Sequence, residues 1–217
     1  MTEISSTDVS RVHPAPAPTG AITVWFDLLS PYAWLGAVQL GAVAARCRRA
    51  VHWRAILLGV VFRHTGMVPL AEQGFRGDSV RRDVARLARR LDLECASVTA
   101  PPGTSLALAR VFHAIDLEEP ALAATLAKTA PTAIFAKGET LDSVEAPQAF
   151  AARLGPSAAA AAAHALGGEA RAALRTVTQD ALAQGVFGAP FFIVDGESFW
   201  GPDRLPLMDA WLSEGPR

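Results

Sequence analysis

The residues Ser30-Pro31-Tyr32-Ala33-Trp34 sit between two apolar runs. Serine is a favoured helix N-cap and proline a favoured first helical residue, so the pentapeptide reads as a strand-to-helix turn. The start of a helix presents unpaired backbone N–H groups and the positive end of the helix dipole. That is a seat for a thiolate or another anion. Read alone, capping is enough to account for Ser30. A second segment, Gly185-Val186-Phe187-Gly188-Ala189-Pro190-Phe191-Phe192, lies far along the chain. Its Gly-X-Pro marks a constrained turn entering a strand. X-Pro bonds are where cis peptides occur, although the trans turn is the commoner outcome. The two cysteines, Cys47 and Cys95, fall in separate helical-looking segments with no C-x-x-C, and read as small buried hydrophobes. That pattern fits a reducing compartment. His13, His52, His64, His113 and His164 are scattered, so no metal site is expected. His64 reads as structural.

These segments need elements to place them. Ala21 to Leu28 is an apolar, β-rich run and so a buried strand. A helix is expected over Tyr32–Arg49 and a second strand over Val51–Leu58, making a parallel β-α-β unit with a right-handed crossover. From about Phe75 to Gly168 the pattern is helical. Val80, Val84, Leu87 and Leu91 recur at helical spacing, and Pro120, Pro131, Pro147 and Gly155-Pro156 divide the region. The alanine run Ala158 to Ala163 favours helix and carries no assigned function. A helix over Glu169–Gln184 ends at Gly185. A strand over Pro190–Val194 turns at Asp195-Gly196 and pairs back through Ser198–Trp200, and a helix over Asp203–Leu212 follows. Arg76, Arg81, Arg82, Arg86, Arg89 and Arg90 read as a solvated helix face, partly balanced by Asp78 and Asp83.

The chain has 217 residues, 51% of them hydrophobic and 19% charged, with a formal net charge of -1. This is globular composition, with no basic excess for nucleic acid. No stretch is long and apolar enough to suggest a membrane span. Residues 1–20, ending in HPAPAPTG, lack the basic start and apolar centre of a signal peptide and read as a disordered leader. A cytoplasmic location is the expectation.

Together the helix-start motif and the Ala189-Pro190 loop match a thioredoxin-like architecture, in which the two face each other. The chain resembles the 2-hydroxychromene-2-carboxylate isomerases and kappa-class glutathione transferases, relatives of the disulfide oxidoreductase DsbA. The matching pieces are FDLLSPYAWLG at 26–36, LLGVVFRHTG at 57–66, RGDSVRRDVARLAR at 76–89 and LAQGVFGAPFFIVDGESFWGPDRL at 182–205. The resemblance runs from about residue 22 to the C-terminus. It implies an α/β, thioredoxin-like fold interrupted by an all-helical insertion. Residues 21–65 and 169–217 would form the thioredoxin-like part and residues 66–168 the insertion, with the site in the cleft between them.

The resemblance also implies roles. Ser30 stands where the redox relatives carry the nucleophilic cysteine and would donate a hydrogen bond to the sulfur of glutathione. Ala33 stands where their second cysteine would be, so dithiol–disulfide exchange by this motif is excluded. Pro31 and Tyr32 would border the thiol. Ala189, before Pro190, would pair its backbone with the cysteinyl part of glutathione, as an added strand does. Pro202 and Asp203 would sit at the γ-glutamyl end, and Arg76 takes the place of a lysine that faces an anionic ligand. Tyr32 and Trp34 could also wall an aromatic pocket. The chain departs from the family at Met67, where asparagine is frequent, at Ser79, where tyrosine is frequent, and at Pro202, where a polar residue is usual. The implied function is glutathione-dependent cis–trans isomerisation of an unsaturated aromatic oxo-acid, as in aromatic-compound breakdown. The alternatives are a kappa-like transferase and a non-catalytic binding module. The implied partners are a small aromatic electrophile and a second copy of the chain, with no nucleic acid and no membrane.

Overall fold

The structure, a computed structural model, describes residues 20–69, 74–96, 100–101, 103–141, 143 and 145–214. The expected leader, apart from Gly20, lies outside the described residues. Strand β1 (Ile22–Phe26) is buried along its whole length. It is apolar on both faces: Ile22, Val24 and Phe26 join one core cluster and Trp25 another. A strand of this kind belongs at the centre of a covered sheet. Its neighbours are β2 (Val51–Ala55), parallel to it with Ile22 opposite Val51, and β3 (Phe191–Val194), antiparallel with Val24 opposite Phe192. Strand β4 (Glu197–Trp200) completes the order β2-β1-β3-β4. The hairpin between β3 and β4 turns at Asp195 and Gly196, both at positive φ, as a two-residue type I′ connection requires.

Helix α1 (Pro31–Arg46) crosses from β1 to β2. Among the described residues, seven helices then follow: α2 (Leu58–Thr65), α3 (Phe75–Arg90), α4 (Thr104–Asp116), α5 (Pro120–Phe135), α6 (Ala146–Ala152), α7 (Pro156–Ala163) and α8 (Gly168–Ala183). A 3₁₀ turn (Pro202–Arg204) and α9 (Leu205–Glu214) follow β4. The fold is therefore α/β, with a four-stranded mixed sheet and a run of helices inserted between β2 and α8. Among the described residues, no helix is long and apolar enough to cross a membrane.

Two elements end earlier than their apolar runs suggest, and one residue explains both. Asp27 is 5% exposed. Its carboxylate accepts hydrogen bonds from the amides of Leu29 (2.9 Å) and Leu58 (3.0 Å), and from the Ser105 hydroxyl (2.8 Å). Its carbonyl accepts from the Ser30 amide at 3.0 Å. These bonds turn the chain out of β1 before Leu28. They also start α2 at Leu58, where the second strand was expected to continue. The cysteines differ from expectation as well. Cys47 caps the C-terminus of α1, half-buried, and its thiol donates to Asp209 at 3.2 Å. Cys95 is exposed and not helical, because α3 ends at Arg90 and Asp92 turns the chain at positive φ. The final helix is split, since the 3₁₀ turn at Pro202 precedes α9.

Helix α4 ties the helical run to the sheet. Phe112 packs edge-on against Phe26 at 5.4 Å, and His113, 2% exposed, places Nε2 2.8 Å from the Ala55 carbonyl. A carbonyl only accepts, so Nε2 carries the proton and donates. Burial lowers the His113 pKa to about 4, with the Ala55 bond opposing that shift. The unfolded chain protonates His113 near pH 6.5 while the folded chain keeps it neutral. Its contribution is therefore full above 6.5 and is lost as pH falls from 6.5 to about 4. The loss should reach about 3 kcal/mol at 1.36 kcal/mol per unit. Urea melts of wild type and His113→Gln across that range should show a difference that shrinks with acid. A constant difference would contradict it.

Candidate functional site

Ser30 caps α1. Its backbone is extended (φ -87°, ψ 117°), its Oγ accepts from the Ala33 amide at 3.2 Å, and Pro31 fills the first helical position. The hydroxyl donates across to the Ala189 carbonyl at 3.4 Å, a long and weak bond. That contact joins two segments widely separated in sequence. Ser30 is 7% exposed. The first turn of α1 contains no acidic residue, so nothing there offsets the positive end of the dipole. Burial pushes the nearby Asp27 carboxyl above the ordinary carboxylate range, against the pull of its three donors.

The facing loop is held by close packing. The Ala189–Pro190 bond is cis. Gly36 lets α1 approach: a Cβ there would lie 3.0 Å from Pro190 Cγ and 3.2 Å from Phe192 Cζ. The Pro190 carbonyl accepts from the Gly201 amide at 3.0 Å, which ties the loop to the 3₁₀ turn. Gly201 lies at φ +104°, and a Cβ on it would collide with the Asp203 carboxylate at 2.6 Å. Asp203 therefore folds back over Gly201, while its side chain stays 56% exposed and 3.7 Å from Arg204. Pro202 beneath it is buried. No hydrogen-bond partner of the Ala189 N–H lies among the described residues. Its backbone thus has an open pairing edge beside the Ser30 hydroxyl.

Tyr32, in the first turn of α1, donates to Asp83 Oδ2 of α3 at 2.9 Å, and Asp83 also accepts from Arg86 at 3.0 Å. Burial raises the phenol pKa, and the Asp83 bond and charge raise it further. Tyr32 is the single tyrosine of the chain, so its titration can be read without ambiguity. The folded protein should show almost no phenolate absorbance at about pH 10.5, where a free phenol is mostly ionised. Asp83→Asn should bring the titration down. A wild-type midpoint at about 10 would contradict the contact.

The structure thus brings together Ser30, Pro31, Tyr32, Ala189, Pro190, Pro202 and Asp203 around the start of α1. Met67 and Arg76 lie on separate elements. Met67 is 40% exposed beyond Gly66, which ends α2 in the left-handed conformation. Arg76 is exposed on the first turn of α3, seven residues before Asp83. That spacing puts it on the Tyr32-facing side of α3, about 10 Å along the axis. Ser79 is exposed on the same first turns. Trp34 does not wall a pocket: it is fully buried, stacked on Phe135, with its indole N–H on Thr132. His64 is exposed near the end of α2. The Arg81–Asp78 and Arg86–Asp83 pairs are exposed and agree with a solvated face for α3. Sequence reasoning missed Asp27, Gly36, Asp83 as the partner of Tyr32, and Gly201. A lone acid closing an apolar strand was the available signal for Asp27.

Comparisons with known proteins follow the same lines. Glutathione S-transferase kappa 1 from Rattus norvegicus is 26% identical over 219 residues, covering 92% of this chain and 93% of the relative. The human kappa 1 protein is 25% identical over 212 residues. Among solved structures, a 2-hydroxychromene-2-carboxylate isomerase aligns with TM-score 0.77 at 22% identity, covering 89% of this chain and 95% of that one. A cytosolic disulfide reductase, DsbM from Pseudomonas aeruginosa with GSH, aligns with TM-score 0.61 at 16% identity, covering 89% and 96%. At these identities the two structures speak to the fold. The model of the DSBA-like thioredoxin domain matches residues 21–213, and the chain belongs to that family.

Proposed function

We propose that the protein is a glutathione-dependent isomerase acting on an unsaturated aromatic oxo-acid of the 2-hydroxychromene-2-carboxylate type. The observation that carries the reading is the Ser30 hydroxyl at the start of α1, opposite the Ala189-Pro190 loop, with alanine at position 33. Dithiol exchange has no cysteine pair to use there. Relatives named for glutathione transfer and for hydroxychromene carboxylate isomerisation support the class.

The residues fit glutathione. The open Ala189 N–H suits the backbone of its cysteinyl unit, and Asp203 offers an exposed carboxylate for its ammonium. Bound there, glutathione would supply the thiolate for reversible addition to an electron-poor double bond, and the same thiolate would leave on elimination. Ser30 orients one donor toward the sulfur, and the N-terminal amides of α1 favour its anionic form. The weak bond from Ser30 to Ala189 is easily exchanged for that contact. Arg76 supplies a guanidinium for a carboxylate of the ligand. We place this activity in the cytoplasm, with a homodimer as the working assembly.

The test is mass balance. With 2-hydroxychromene-2-carboxylate as substrate, isomer interconversion should require glutathione in catalytic amounts and leave its total unchanged. Stoichiometric consumption of glutathione with a halogenated arene, and no interconversion, would replace isomerase by transferase.

A further inference from the structure

A groove lies away from Ser30, between α4 and α8. The groove encloses about 560 Å³, within the range of small-molecule sites. Its two ends differ in chemistry. At one end are Leu57, Val60, Leu106 and Leu182. The Leu57 amide bonds the Thr178 hydroxyl of α8 at 3.4 Å, which fixes this end against the start of α2. At the other end are Arg110 of α4 with Arg171 and Arg175 of α8. Positions 171, 175, 178 and 182 fall on one face of α8, so the stripe from Arg171 to Leu182 is about 16 Å long.

The arginines are not used up by the fold. None of the three pairs with a carboxylate among the described residues. Arg171 donates to the Gly167 carbonyl at 3.3 Å. The Nε of Arg110 is buried with no hydrogen-bond partner among the described residues. A buried donor without an acceptor is costly, so each such group calls for an explanation. A carboxylate in the groove suits the Arg110 and Arg175 side chains that line it, because guanidinium and carboxylate match in geometry and charge. The apolar end then asks for a hydrocarbon continuing from that carboxylate.

The geometry points to a binding site for a medium-chain aliphatic carboxylate, with its head on Arg110 and Arg175 and its chain along Leu106, Leu57 and Leu182. The inference does not rest on the glutathione reading, since no residue of this groove belongs to the Ser30 cluster. Decanoate titrated calorimetrically into the full chain is the test, with 1-decanol and inorganic phosphate as separate probes. Decanoate should bind saturably. Arg110→Gln and Leu106→Glu should each weaken it at least tenfold, with 1-decanol and phosphate at least tenfold weaker than decanoate on wild type. Arg175→Gln, on an exposed side chain, should weaken it several-fold and keeps the test open where Arg110→Gln does not fold. Four results would overturn the site: no saturable binding, unchanged affinity in the arginine variants, phosphate binding as tightly as decanoate, or displacement of decanoate by glutathione. Failure of thiol activation at Ser30 would leave it untouched.

Discussion

Ser30→Ala should lower glutathione-dependent turnover by about 10²-fold, the usual cost of removing one donor aimed at a developing or bound anion. The difficulty is that Ser30 also caps α1 through the Ala33 amide. Losing a serine cap costs about 1 kcal/mol of stability, whereas glycine at the cap costs only a few tenths. Ser30→Gly therefore separates the two roles. Both variants lack the hydroxyl, so both should lose about the same turnover, while only the alanine variant should melt measurably earlier. A glycine variant with wild-type turnover would reduce Ser30 to a cap.

Gly36→Leu should be the most damaging single change near the site. A Cβ at Gly36 already lies 3.0 Å from Pro190 Cγ, 3.2 Å from Phe192 Cζ and 3.3 Å from Pro190 Cβ. Phe192 is fully buried at the centre of the sheet and has nowhere to go. Overpacking of a tight core costs about 1–3 kcal/mol, and a leucine adds three carbons beyond the Cβ. We expect about 3 kcal/mol lost in a urea melt, at the upper end of that range. The same displacement would push the Ala189–Pro190 loop away from Ser30, so turnover should fall beyond what the unfolded fraction explains. Gly36→Ala tests the sign, because the gain of about 1 kcal/mol in helix propensity opposes the tight contact. Its net effect should be small. A leucine variant as stable as wild type would mean that α1 and the loop are less closely packed than described.

Much of this was legible in the chain. Ser30-Pro31 announces a helix start because capping chemistry is local, and α1 begins where those residues place it. Asp195-Gly196 likewise announces the hairpin, since few residue pairs accept two positive φ angles. At Ala189–Pro190 frequency alone favours a trans bond, and the structure has it cis. What stayed hidden is nonlocal. Asp27 is bonded to α2 and α4, so its partners cannot be read from its neighbours. Gly36 looks like a neutral helical glycine until β3 is placed beside it. Arg110 differs from the other arginines only once α4 lies against α8. Cys95 failed as a buried hydrophobe because the end of α3 is set by Asp92, not by the apolar repeat.

The central claim is that the start of α1, with the Ser30 hydroxyl, stabilises a bound thiolate. A free thiol near pKa 8.5 is mostly protonated at neutral pH. Glutathione titrated at about pH 7 into wild type and Ser30→Gly, followed by thiolate absorbance in the ultraviolet, tests the claim most directly. Wild type should give a saturable thiolate signal that disappears, or demands a higher pH, in the variant. Glutathione that binds wild type as the neutral thiol, or a thiolate signal equal in the two proteins, would contradict it.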